Sequence, residues 1–267
     1  MTGLVSYERR GPLGLIRLER PDALNALTHE MIADVELFAR AAERDADVLA
    51  ICITGAGRGF CAGLDISVLA AQTGAEGVPT LNEAEPRPAL FSFLLDISKP
   101  VIGAINGVGA GGGFVLAMMC DLRFMAEEAT LTTVFSRRGL IAEHATSWLL
   151  PRIVGLSRAL DLLWSSRRID AAEAYRVGFA DRVVPADRLL DAVEAYVADM
   201  AATVSPRALA VMKAQVHRDV GRPFAESVAE THHHMIAALR SADAGEGARS
   251  FVERRPPRFA AWTGEDK

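Results

Sequence analysis

Five glycines crowded between residues 107 and 113, directly behind an apolar run, constrain this chain more than any other feature. Within residues 99–120, KPVIGAINGVGAGGGFVLAMMC, positions 101–105 read as a buried strand that breaks at Asn106-Gly107, and a short apolar helix opens at about Phe114. Glycines let backbone approach a ligand closely, and a helix start offers N–H groups without intrahelical partners. The stretch therefore predicts a cradle for an electron-rich group. Gly107 to Gly112 also fits GxGxxG, and Glu127 follows 20 residues after Gly107, where a ribose-binding acid would stand. A dinucleotide is nevertheless the wrong reading. Only about eight residues of helix separate this loop from the next strand, short of the roughly 10–12 that a parallel βαβ crossover needs.

A second stretch has the same grammar. Residues 48–54, VLAICIT, predict a strand buried on both faces. Behind it comes another glycine-rich turn, GAGRGFCAGLD from Gly55 to Asp65, and a short helix expected from Asp65, which would cap it. Strand, glycine turn and helix start, twice over, predict a two-sided cradle of backbone N–H groups.

Around this pair, residues 4–9 and 13–19 alternate about Gly11-Pro12 as a hairpin. Thr28 is placed to cap a helix reaching Arg44, with Met31, Val35, Phe38 and Ala42 on one face. Residues 72–88 carry no apolar period and read as a loop bordering a site. Residues 89–97 read as a helix, 121–126 and 130–134 as strands, and everything from His144 onward as helical except an extended 181–184. Strands and helices alternate to about residue 140 and helices follow, which makes the chain α/β.

Charge narrows the function. A net charge of −5 without a Lys/Arg stripe argues against nucleic acid. No apolar run reaches transmembrane length and MTGLVSYERR holds no signal core, so no membrane is expected and a cytoplasmic location is. Cys52, Cys61 and Cys120 lack metal spacing and read as reduced, packed thiols. His232-His233-His234 point in three directions from one helix and make poor metal ligands.

The segments RPDALNAL (20–27), GFCAGLDI (59–66) and KPVIGAING (99–107) with Gly111-Gly112-Gly113 resemble the enoyl-CoA hydratase/isomerase (crotonase) family, as do CDLR (120–123), RIVG (152–155) and FVERRP (251–256). The resemblance spans nearly the whole chain. It implies a crotonase-like spiral of ββα units over residues 1–200 and a C-terminal helical trimerisation region over 201–267, with trimers that often pair into hexamers. It further implies an acyl-CoA thioester as substrate, no prosthetic group, and no metal. By position, the N–H groups of Leu64 and Gly112 would form the oxyanion hole, and Ala23, Ala62, Leu64, Asp65, Ile66 and Gly112 would line the coenzyme A thioester. Two preorganised backbone donors suit the negative charge that an enolate places on the thioester oxygen.

The chain departs from the family where hydration needs two glutamates around one water. Val115 and Phe135 stand at those positions, and neither holds a proton. Glu143, in GLIAEH (139–144), falls where family dienoyl-CoA isomerases carry a proton-transferring aspartate. A single carboxyl can shuttle a proton between two carbons of one enolate, so isomerisation with Glu143 as the acid–base is expected. Decarboxylation or C–C cleavage of an acyl-CoA, and non-catalytic acyl-CoA binding, are the rival readings. His144 is expected to be a structural helix-start residue, and Trp148 a core residue.

Overall fold

In a computed structural model, residues 3–65, 68 and 88–263 are described. Strand β1 (Val5–Arg10) and β2 (Leu13–Leu18) pair antiparallel across a turn in which Gly11 takes a left-handed φ of 58°. The expected helix follows as His29–Arg44, with the Thr28 side chain accepting from the Met31 N–H at 3.3 Å. Met31, Val35 and Ala42 are buried, and Phe38 stacks on Tyr7.

From there the chain visits two sheets in alternation. β3 (Ala50–Gly55) is followed by β4 (Gly59–Cys61), β5 (Val101–Ile105) by β6 (Val108–Ala110), and β7 (Leu122–Ala126) by β8 (Thr130–Thr132). β9 (Ile169–Asp170) and β10 (Arg182–Val184) come later. The first strand of each pair enters a six-stranded sheet of order β1-β2-β3-β5-β7-β10, parallel from β2 onward. The second enters a four-stranded sheet, β4-β6-β8-β9, with β9 antiparallel. Strand, strand, helix, repeated, is the spiral of ββα turns that the resemblance implies. Strands β3 and β5 are buried throughout, as near-continuous apolar runs require in a parallel sheet.

The structure corrects the sequence reading in several places; the strand expected over 130–134 ends at Thr132. The glycine turns are not plain loops: each contains a short strand, β4 or β6, too glycine-rich to show an apolar alternation. The helix expected over 89–97 shrinks to Phe93–Asp96, because Phe91 adopts a left-handed φ of 61° that no α-helix contains. Two-residue β9 carries no sequence pattern at all. The helix expected from Asp65 and nearly all of the loop over 72–88 lie outside the described residues.

The helix Gly112–Met119 is buried on every side, and its Phe114 stacks on Phe179 with ring centroids 4.9 Å apart. Beyond it, the C-terminal half runs through Thr146–Val154, Leu156–Ser165, Ala171–Arg176, Leu189–Thr203, Pro206–Asp219, Phe224–Leu239 and Ala242–Glu253.

Candidate active site

Three stretches meet at one end of the short strands: residues 20–27 and the two glycine turns. Asn25, fully buried with a left-handed φ of 58°, accepts from the Arg20 N–H at 2.9 Å and donates to the carbonyls of Ala56 and Gly59 at 2.9 and 2.8 Å. Asparagine tolerates that backbone conformation better than most residues, so it turns the chain and braces the neighbouring turn at once. Asn106 does the same from the other side, accepting from the Gly55 N–H at 3.1 Å and donating to the Gly57 carbonyl at 2.9 Å. Both side-chain amides thereby brace the first glycine turn, Asn106 doing so from the start of the second.

The turns also lock into each other. A Cβ at position 113 would lie 1.9 Å from the Cys61 carbonyl oxygen, and one at position 63 would lie 2.7 Å from Ala110 O and 3.3 Å from Gly112 N. Only glycine permits this approach. Leu27 and Leu64 form a parallel bridge in which the Leu27 N–H donates to Gly63 O at 2.8 Å and the Asp65 N–H to Leu27 O at 2.9 Å. The Leu64 N–H is left without an acceptor among the described residues. Gly112 is the first residue of its helix, and Gly111 before it offers no side-chain cap, so its N–H is also open. The Cα of Gly63 sits 3.6 Å from where a Gly112 Cβ would be, which places the two open amides on adjoining backbone.

Of the residues expected to line the ligand, Ala62 donates its N–H to Leu24 O at 2.9 Å, and Ala23 lies one residue before that carbonyl in the 3₁₀ turn Pro21–Ala23. The Asp65 carboxylate, expected as a helix cap, pairs with the Arg20 guanidinium at 3.0 Å. Thus Ala23, Ala62, Leu64, Asp65 and Gly112 are gathered in one place; Ile66 lies outside the described residues. The Cys61 thiol is fully buried, and burial pushes its pKa up to about 12 against the pull of the Gly63 N–H, so it is a packed thiol and no nucleophile.

Leucine side chains wall the Gly112 position: Leu27 Cδ1 and Leu90 Cδ2 would each lie 3.3 Å from its Cβ. The Leu90 N–H donates to His144 Nδ1 at 3.3 Å, which ties the 143–145 turn to that wall. Glu143 is half-buried, and its carbonyl accepts from the Thr146 N–H at 3.0 Å as the Thr146–Val154 helix begins. His144 and Ala145 are successive left-handed residues, φ 52° and 59°. Such non-glycine conformations cost on the order of 1–3 kcal/mol each and persist where the surroundings enforce them. Val134, β-branched and left-handed at φ 56°, presses its Cγ2 to 3.2 Å from the Cβ position of Gly111, and Phe135 beside it is buried. Val115 is also fully buried. The two positions at which the resemblance implies hydratase glutamates are thus apolar and buried.

The Leu90–His144 link and the strain at Val134 were not legible in the sequence; the only signal was the proximity of His144 to Glu143. Trp148 is not core but 43% exposed, with the Arg152 guanidinium stacked 4.0 Å from its ring. Among the described residues no cluster of three or more His, Cys, Asp or Glu is placed to hold a metal, and no helix is long and apolar enough to cross a membrane.

The family model for enoyl-CoA hydratase/isomerase matches residues 8–262. The chain belongs to the enoyl-CoA hydratase/isomerase family. It is an enzyme of that family, whose substrates are coenzyme A thioesters. A probable enoyl-CoA hydratase of Mycobacterium leprae is 36% identical, covering 95% of this chain and 95% of its own. The 1,2-epoxyphenylacetyl-CoA isomerase of Escherichia coli K12 is 33% identical, covering 97% of this chain and 98% of its own. Among solved structures, a probable enoyl-CoA hydratase/isomerase from Mycobacterium abscessus superposes with a TM-score of 0.86 at 31% identity, covering 96% of this chain and 98% of that one. The spiral of ββα turns is therefore a crotonase fold.

Proposed function

We propose that this enzyme isomerises a double bond in an acyl-CoA thioester, holding the enolate oxygen between the Leu64 and Gly112 N–H groups and moving the proton with Glu143. The observation that carries the reading is the pair of open amides beside two apolar positions, Val115 and Phe135, where hydration would need carboxylates. In this reading the thioester carbonyl accepts both N–H groups, and Ala23, Ala62, Asp65 and Ile66 line the coenzyme A. The Glu143 carboxylate takes a proton from one carbon as negative charge moves onto the carbonyl oxygen. The same carboxyl returns it to another carbon of the conjugated system, so nothing is added or lost and the double bond has shifted. Losing one backbone donor of such a hole costs about 2.7–4 kcal/mol of barrier, so the two amides carry a large share of the rate.

The test is incubation in D₂O with a panel of 2-enoyl- and 3-enoyl-CoA thioesters. Deuterium should enter the α or γ carbon as the double bond migrates, and Glu143→Gln should stop it while thioester binding persists. Exchange that survives in E143Q removes Glu143 from the reaction. Efficient addition of water across a 2-enoyl thioester overturns the isomerase reading.

A further inference from the structure

We propose that His144 is a specificity-determining residue, whose Nε2–H donates to an oxygen carried on the acyl chain of the substrate. The inference rests on the acyl-CoA reading above and adds to it a class of acyl group: one bearing a hydroxyl, epoxide or keto oxygen beyond the thioester.

The ring's tautomer comes first. His144 Nδ1 accepts the Leu90 N–H at 3.3 Å, so the ring proton of the neutral imidazole is on Nε2. Nε2 has no partner among the described residues, although the side chain is half-buried. A half-buried donor left open in this way is free to be matched by a ligand or by solvent. Position comes second. The residue that fixes the ring, Leu90, is the one whose side chain walls the Gly112 position, so the imidazole stands one residue from the thioester-binding amides.

Chemistry and strain complete the case. Leu27 and Leu90 at the wall are apolar, as are Val115 and Phe135, so a hydrocarbon chain would find no reason for an imidazole donor there. The ring is presented by two successive left-handed residues, His144 and Ala145, a conformation that non-glycine residues hold only where their surroundings enforce it. Burial lowers the imidazole's pKa, with the neighbouring Glu143 pulling the other way, so near neutral pH the group is an uncharged donor. An uncharged donor suits an uncharged oxygen; an anionic acyl group would call for a cation.

The test compares matched 2-enoyl-CoA thioesters with and without one hydroxyl or epoxide oxygen on the acyl chain. The ratio of kcat/KM, oxygenated over plain, should exceed one in the wild type and fall about tenfold in His144→Phe, the scale of one lost hydrogen bond. His144→Gln, which keeps an N–H donor, should restore much of it. A ratio unchanged in H144F overturns the proposal. So does ¹⁵N NMR of the imidazole that finds the Nδ1–H tautomer or the imidazolium at neutral pH. If the wild type turns over neither thioester, the same ratio is read from binding constants. An inert protein that still prefers the oxygenated partner defeats the isomerase reading and supports this one, and a protein that binds no thioester defeats both.

Discussion

Gly63 sits at φ 99°, and a Cβ there would lie 2.7 Å from the Ala110 carbonyl and 3.3 Å from the Gly112 nitrogen. The atoms it would meet are backbone, so relief must come from moving the second glycine turn off the first. Gly63→Ala is therefore expected to separate the Leu64 and Gly112 amides and lower kcat by about 10²–10³-fold, the cost of one oxyanion donor. Steady-state kinetics on an accepted thioester measures it, and kcat within a few-fold of wild type would place the oxyanion site elsewhere. Gly113→Ala is a harsher change, because its Cβ would fall 1.9 Å from Cys61 O, and it should fail to yield folded protein. The cysteines give a complementary residue-level expectation. Burial pushes the thiols of Cys61 and Cys120 up to about 12 and raises that of Cys52 as well. A thiol reagent should find none of them in the native protein and three after denaturation. Rapid native labelling of any one would show that its packing opens.

At the scale of elements, the first glycine turn is braced by two side-chain amides, those of Asn25 and Asn106. Asn25→Asp keeps the acceptor for Arg20 but turns an oxygen toward the Ala56 and Gly59 carbonyls. The Gly59 carbonyl keeps the Asn106 amide at 3.2 Å, so losing the bond to Ala56 and one of two bonds to Gly59 predicts about 1–3 kcal/mol of destabilisation, read by urea unfolding. A loss below 1 kcal/mol would mean that the turns hold without the brace. How much of this was legible follows from what each element leaves in the sequence. β3, β5 and the His29–Arg44 helix announce themselves because burial demands an apolar period, and Thr28 because a cap demands an oxygen. β4 and β6 are invisible because their glycines serve close approach, which erases the side-chain pattern. The amides of Leu64 and Gly112 could be placed by family position alone. Leu90 and His144 are 54 residues apart and could not be paired by any local signal.

The whole molecule has two features that its site does not explain. In the tail, the Glu246 carboxylate binds the Arg255 guanidinium and accepts the Arg258 N–H at 2.8 Å. Arg255 chiefly, then the Arg258 N–H, hold its pKa down at about 2. Because the folded value is depressed, the unfolded chain takes up the proton first. This contribution to stability is whole above about pH 4.5 and is lost as pH falls toward 2. Glu246→Gln should flatten the pH dependence of the melting temperature within that window, and an unaltered slope would assign the acid sensitivity to other carboxylates. The second feature is apolar exposure. The helix Phe224–Leu239 buries none of its residues in the single chain, with Phe224 85% and Leu239 70% exposed, and Phe251 on the last helix is 85% exposed. Covering a side chain of this kind is worth about 1.5–3 kcal/mol, so several together favour association with other copies of the same surface. The trimers, often paired as hexamers, that the sequence resemblance implies would supply the arrangement. Sedimentation velocity should therefore give three or six times the 28.6 kDa of one chain, and the double substitution Phe224→Glu with Leu239→Glu should shift it toward the single-chain mass. A wild-type protein that sediments as a monomer at micromolar concentration would leave these helices to cover themselves in some other way, and would refute the assembly.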